Sequence, residues 1–303
     1  MYFHGEPLYE CIITHLPYEN YGSERNWYFK HDQNEQNPYW ELRLNPVNGC
    51  HNLRYNTGKN KEFRGCAFCH RMYDKPRKNE VHHILKVDQM FDEIFAQYSP
   101  SVIPLVKKIL LVTGNTETAE KLLEIAEEIY HNYLIPHGFQ GVFSVVTSQI
   151  TCKEHIRRLA RIDNTIFEYP LECFTRREEI LGPEKGIPME QVLDMLKQAK
   201  HYFTFTRVNY VVGLDPLEEI ENWFAKLATE QLVHDVVATC MTPFSPAMEE
   251  LRVPACDSVL FILETCKLLE ALNLWTRRLG VEKSIFKSDR IDAMNTQDLF
   301  VCS

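Results

Sequence analysis

The sequence predicts an α/β fold of the (β/α) barrel kind, either a partial (β/α)6-type form or a full TIM-like barrel, with an N-terminal extension. Strand-length apolar runs alternate six times with helix-length amphipathic stretches between residues 39 and 272. Such alternation requires right-handed crossovers and a parallel sheet. The runs are near-continuous, as in 108–113 (KILLVT), which fits strands covered on both faces. The chain carries no phosphate-loop or dinucleotide glycine motif, and this favours a closed or partly closed barrel over a doubly wound sheet.

Taken in order, residues 1–38 are rich in Tyr, His, Asn and Glu with little periodicity, and are expected to pack as an extension over one barrel end or edge. Residues 39–44 (YWELRL) alternate well enough for a short strand that delivers the chain to Cys50. In 87–97, Val87, Met90, Phe91, Ile94 and Phe95 recur along one helical face. The run at 108–113 is followed by Gly114, Asn115 and a helix over 117–130. Further units pair 141–147 with a helix over 153–160, 165–169 with 189–199, 203–212 with 216–228, and 233–241 with the apolar stretch 257–272. Pro, Gly and Ser show no linker-like concentration, so a single catalytic domain at 39–275 is expected between the extension and a C-terminal tail at 276–303.

Composition narrows the class. Hydrophobic residues make up 45% and charged residues 25% of the 303, as in a soluble globular protein. No apolar run approaches the roughly 18 residues that span a bilayer, so no membrane partner is expected. The N-terminus lacks the basic start, apolar stretch and cleavage site of a secretory signal, and a cytoplasmic location follows. Ten cysteines are too sparse for a disulfide scaffold. Cys256 and Cys266 lie on an apolar helical stretch and are expected in the core. A net charge of −9 argues against general nucleic-acid binding. Yet between 53 and 79, Arg54, Lys59, Lys61, Arg64, Arg71, Lys75, Arg77 and Lys78 face only Glu62 and Asp74. That basic stretch is either a solvated loop or an attractor for an anionic substrate.

The chemistry concentrates in 45–71 (NPVNGCHNLRYNTGKNKEFRGCAFCHR), which holds Cys50, Cys66 and Cys69. Three thiolates in one polar segment suit zinc or an iron–sulfur cluster. Structural zinc usually takes four protein ligands, so His51 or His70 would have to complete such a site. A zinc-stabilised, non-enzymatic binding module is the alternative that this leaves open. In (β/α) barrels functional residues sit at the C-terminal ends of strands, and Cys50 follows the 39–44 strand. There is no nucleophile elbow for a Ser-His-Asp hydrolase, and His82-His83 lacks the i, i+4 pairing of a zinc protease.

With Phe68 between the last two cysteines (C-A-F-C), the stretch resembles the radical S-adenosylmethionine (SAM) superfamily. The resemblance implies that Cys50, Cys66 and Cys69 bind three irons of a [4Fe-4S] cluster while SAM chelates the fourth, with Phe68 beside the adenine. The first gap of fifteen residues departs from the three of the commonest members; 7-carboxy-7-deazaguanine synthase also has a long one. Residues 169–177 (YPLECFTRR) are similar to the biotin synthase and lipoyl synthase branch, as are 180–186 (ILGPEKG) and 209–214 (NYVVGL).

That similarity implies Glu172 as an acceptor for polar hydrogens of SAM, Arg177 as a partner for its carboxylate, and Gly213 near the adenine. Residues 114–117 (GNTE) stand where the superfamily has a Gly-Gly-Glu-like motif, implying that the carbonyl of Thr113 or Gly114 accepts from the SAM amine. Thr147, Ser148 and Gln149 would also face SAM. Residues 240–246 (CMTPFSP) resemble the family's exit loop, implying adenine contact from the backbone of Met241 or Thr242. Arg207, in an otherwise apolar strand, reads as a barrel-interior ligand residue or an edge charge.

The implied activity is reductive SAM cleavage to a 5′-deoxyadenosyl radical, which takes hydrogen from a small-molecule substrate in cofactor or metabolite biosynthesis. A donor such as flavodoxin or ferredoxin would supply the electron. Rearrangement, carbon–carbon chemistry, methylation, dehydrogenation and sulfur insertion all remain open. Sulfur insertion would need an auxiliary cluster, for which Cys152, Cys173 and Cys240 are the candidates. RNA or peptide modification by the same cluster is a second enzymatic alternative.

Overall fold

The computed structural model describes residues 2–3, 6–7, 11–14, 27–30, 41–46, 50, 66–68, 87–182, 185–240, 249–254, 256, 259–274 and 299–302. Seven strands form its main sheet: β1 (Trp27–Lys30), β2 (Glu41–Leu44), β3 (Lys108–Val112), β4 (Val142–Val146), β5 (Thr165–Glu172), β6 (Thr206–Val212) and β7 (Asp235–Cys240). Their spatial order follows the sequence, β7-β6-β5-β4-β3-β2-β1. Strands β2 to β7 run parallel, and β1 joins β2 antiparallel. Two short ladders, Tyr2–Phe3 with Glu6–Pro7 and Cys11–Thr14 with Leu299–Cys302, lie outside this sheet.

Each parallel strand feeds helix: α1 (Val87–Tyr98), α2 (Ala119–Glu128), α3 (Lys153–Leu159), α4 (Arg177–Leu181) with α5 (Met189–Tyr202), α6 (Leu217–Thr229) and α7 (Val259–Ala271). The six expected units are therefore present. Thr118 starts α2 by accepting from Lys121 N–H at 3.2 Å, which satisfies one of the orphan donors of the first turn. Among the described residues no ladder joins β7 to β1, so the sheet is open and takes the partial form of the two expected. No helix among them is long and apolar enough to cross a membrane.

Strand β1 was not expected as an element. Its Trp27 and Phe29 are buried, and both rings pack edge-on against Tyr98 of α1. Trp27 Nε1–H donates to Glu93 at 3.1 Å. The stretch 23–30 lacks two-residue periodicity because its buried aromatics are only two positions, too few to register as a pattern.

The two sheet faces differ more than continuous apolar runs suggest. Leu42, Ile109, Phe143, Phe167, Val208 and Val236 share one apolar core that also takes in the buried faces of the helices. The alternate positions Glu41, Lys108, Ser144, Glu168, Arg207 and Asp235 are polar, and all are at most 4% exposed. Side chains alternate faces along a strand, so these lie on the side away from that core. Lys108 pairs with Glu41 at 3.2 Å. Arg207 Nε donates to Asp235 at 3.0 Å and Nη1 lies 3.6 Å from Glu168, which also accepts from Ser144 Oγ at 2.6 Å. Strand β6 lies between β5 and β7, so Arg207 is not an edge charge. Replacing Arg207 with Met strands two buried carboxylates, and we expect a loss of about 3–5 kcal/mol in urea unfolding; an unmoved midpoint would show that Glu168 and Asp235 protonate or rehydrate without cost.

Candidate functional site

Because β2 to β7 are parallel, their C-terminal ends share one rim of the sheet. Cys50 follows β2 there, Gly114 and Asn115 follow β3, Ser148 follows β4, Glu172 ends β5, and Gly213 follows β6. Asn115 N–H donates to Cys50 Sγ at 3.3 Å, and Ser148 Oγ donates to Asn115 Oδ1 at 3.1 Å. Gln149 fastens the same two loops, accepting from Thr116 N–H at 2.9 Å and donating to Thr116 O at 3.0 Å. These contacts bring Cys50, the loop containing Gly114, and Ser148 together.

The second half of the rim is built around α4. Ala67 N–H donates to Ile180 O at 2.7 Å. Cys66, Ala67 and Phe68 pack against Cys173, Ile180, Leu181, Val211, Leu214 and Leu251. Lys185 Nζ lies 3.5 Å from Cys66 Sγ and 3.2 Å from Glu172 Oε1. Burial disfavours the ammonium form of Lys185, but the Cys66 sulfur and the Glu172 carboxylate outweigh it and push the pKa well above the usual lysine range.

Glu172 sits at φ 67°, at a register shift in the β5–β6 ladder between Pro170 and Glu172. A left-handed conformation is uncommon for a non-glycine residue and costs on the order of 1–3 kcal/mol. Arg177 is 5% exposed and donates to the carbonyls of Leu171 and Ile187, each at 2.7 Å, and to that of Cys173. Among the described residues its buried Nη2 meets no hydrogen-bond partner. Gly213 adopts φ 109°, and a Cβ there would lie 3.4 Å from Cys256. Cys256 is buried as expected, whereas Cys266 is half-buried.

Three residues of this rim carried no role in the sequence. Asn115 lies in the GNTE stretch and meets Cys50 through its backbone N–H, a contact to which side-chain identity gives no clue. Lys185 lies in ILGPEKG, where a lysine next to glycine reads as surface turn. Asp215 is fully buried and accepts from Phe174 N–H and Thr175 N–H, each at 2.8 Å, from Thr175 Oγ at 2.6 Å and from Tyr210 OH at 2.9 Å. Burial and Asp215 hold the Tyr210 phenol well above its usual pKa, so it remains a donor. This clamp joins the end of β6 to the loop after β5.

Among the described residues no group of three or more His, Cys, Asp or Glu is placed to hold a metal ion. Cys69, Met241, His51 and His70 lie outside the described residues, as does the basic stretch over 53–79 apart from 66–68. Of the candidates for an auxiliary cluster, Cys152 is half-buried at the start of α3, Cys173 is fully buried, and Cys240 ends β7. Burial, and then the Asp215 carboxylate, push the Cys173 thiol far above its usual pKa. Alkylation requires the thiolate. We therefore expect native Cys173 to resist iodoacetamide at neutral pH, its rate still rising above the usual thiol pKa of about 8.5; rapid labelling of Cys173 by peptide mass spectrometry at neutral pH would contradict this placement.

No protein-family model matches the chain, and no curated protein matches it in sequence. Solved structures match it in fold. Streptococcus suis SuiB bound to S-adenosylmethionine matches with a TM-score of 0.50 at 13% identity, over 82% of this chain and 52% of SuiB. Methylornithine synthase (PylB) matches with a TM-score of 0.52 at 12% identity, over 83% of this chain and 69% of its own. Escherichia coli coproporphyrinogen III oxidase (HemN), a radical SAM enzyme, gives 0.43 at 14% identity, over 69% of this chain and 50% of HemN. The chain thus spans about half the length of SuiB. At these identities the likeness is one of fold, a partial (β/α) sheet shared with SuiB and methylornithine synthase.

Proposed function

We propose that the chain is a radical SAM enzyme, similar to the biotin synthase and lipoyl synthase branch, in which Cys50, Cys66 and Cys69 hold a [4Fe-4S] cluster. The supporting observation is that two of these sulfurs stand on the strand-end rim and each already receives a polar hydrogen, Cys50 from Asn115 N–H and Cys66 from Lys185. Thiolate sulfur with N–H donors around it is the donor chemistry that an iron–sulfur cluster takes, and those donors tune it. Cys69 stands three positions after Cys66. When bound, the cluster and SAM supply reductive cleavage of the sulfonium and a 5′-deoxyadenosyl radical that removes hydrogen from substrate.

The chain's own residues bind and orient. Glu172 offers a carboxylate at the rim for the ribose or amino hydrogens of SAM, and Lys185 holds it in place at 3.2 Å. The carbonyl of Gly114 accepts from the SAM amine, in a loop ordered by Ser148 through Asn115. Gly213 brings bare backbone towards the adenine, with Phe68 beside it; for Met241 the adenine contact rests on the resemblance of 240–246 alone. Arg177 orders the loop that bears Glu172 through three carbonyls, and the resemblance gives it the SAM carboxylate as a further partner. The substrate is a small molecule, the electron arrives from a flavodoxin- or ferredoxin-type donor, and the setting is cytoplasmic.

Anaerobic reconstitution with iron and sulfide tests this directly. The expected outcome is about four irons per chain, an EPR change on adding SAM, and 5′-deoxyadenosine formation that Cys66→Ala abolishes. A colourless protein that retains one zinc and never cleaves SAM would overturn it in favour of the zinc-stabilised module.

A further inference from the structure

Lys185 is placed by construction. Gly186 N–H donates to Gly182 O at 2.7 Å, and a Cβ at 186 would lie 2.6 Å from both Arg177 O and Glu178 Cα. Only glycine lets the chain carry Lys185 in against α4. Cys66 is fastened to the same short helix through the Ala67–Ile180 hydrogen bond. The Lys185–Glu172 pair is largely shielded, at 12% and 14% side-chain exposure. A compact ammonium in such surroundings acts on the neighbouring sulfur far more strongly than it would in water.

We propose that Lys185 is a redox-tuning and positioning residue, whose charge against Cys66 Sγ raises the reduction potential of the cluster held by that thiolate. The inference rests on the cluster assignment above. Adding an electron makes the cluster more negative, and a fixed cation beside a ligating sulfur stabilises that state. The tuned step is a one-electron transfer from an external reductant to the cluster, with no bond made and no proton moved. Asn115 N–H acts on Cys50 in the same sense, but as backbone it cannot be removed by side-chain substitution. Glu172 partly offsets the ammonium, so the pair sets the net charge beside Cys66.

The test is an anaerobic dithionite titration, without SAM, of reconstituted wild type, Lys185→Met, Lys185→Arg and Glu172→Gln, with the midpoint read from the EPR of the reduced cluster. We expect a more negative midpoint in Lys185→Met, recovery towards wild type in Lys185→Arg, and a more positive midpoint in Glu172→Gln. Should Lys185→Met fail to hold iron, the sign of the Glu172→Gln shift decides. Iron-loaded variants whose midpoints coincide with wild type would overturn the inference and leave Lys185 with a purely structural role. Wild-type protein that takes up no iron would instead overturn the cluster assignment, and this inference with it.

Discussion

Arg207 is the interaction on which the sheet depends. Its buried guanidinium, on β6, reaches Asp235 of β7 and Glu168 of β5. Parallel strands gain no register from hairpin turns, because each is reached through a helical crossover. A charged group that must meet partners on both neighbours supplies that register instead, and the ladder records it as Glu168 opposite Arg207 opposite Asp235. A slip of β6 by one residue would turn Arg207 towards the apolar core and leave Glu168 and Asp235 without it. Lys108 and Glu41 make the corresponding bridge between β3 and β2.

With register set, the strand ends fall on one rim and the loops there can be specific. Asp215, just after β6, accepts three hydrogen bonds from the loop after β5 and one from Tyr210 of β6. Arg177 collects carbonyls from the same loop and from Ile187. Between these two clamps the chain can hold Glu172 at a positive φ. Backbone strain of that kind persists only where the surroundings over-determine it, and here two buried charged groups, each held by several hydrogen bonds, do so.

The rim is electrostatically uneven around its cysteines. On the β2–β3 side the donor to Cys50 is a neutral backbone N–H. On the α4 side the donor to Cys66 is a charged ammonium, itself partly offset by a carboxylate. The two thiols of the rim thus meet different fields, and Cys173, packed behind Cys66, meets an apolar one that keeps it protonated. The polar hydrogens aimed at their sulfurs distinguish Cys50 and Cys66 from Cys173.

Sequence alone determined the alternation of strands and helices, because apolar runs such as KILLV and amphipathic faces such as that of α1 are local periodicities, and periodicity is what burial imposes on neighbours in the chain. It also put Cys50, Glu172 and Gly213 at strand ends, since the end of an apolar run marks the rim. Tertiary structure alone decided that the sheet is open among the described residues, that Trp27–Lys30 joins it, and that one of its faces carries buried ions. It alone brought Lys185 to Cys66, 119 positions away, and turned Arg177 towards backbone carbonyls. Those outcomes depend on contacts between residues distant in sequence, and a buried lysine or arginine looks the same in a sequence as an exposed one until its partners are in place.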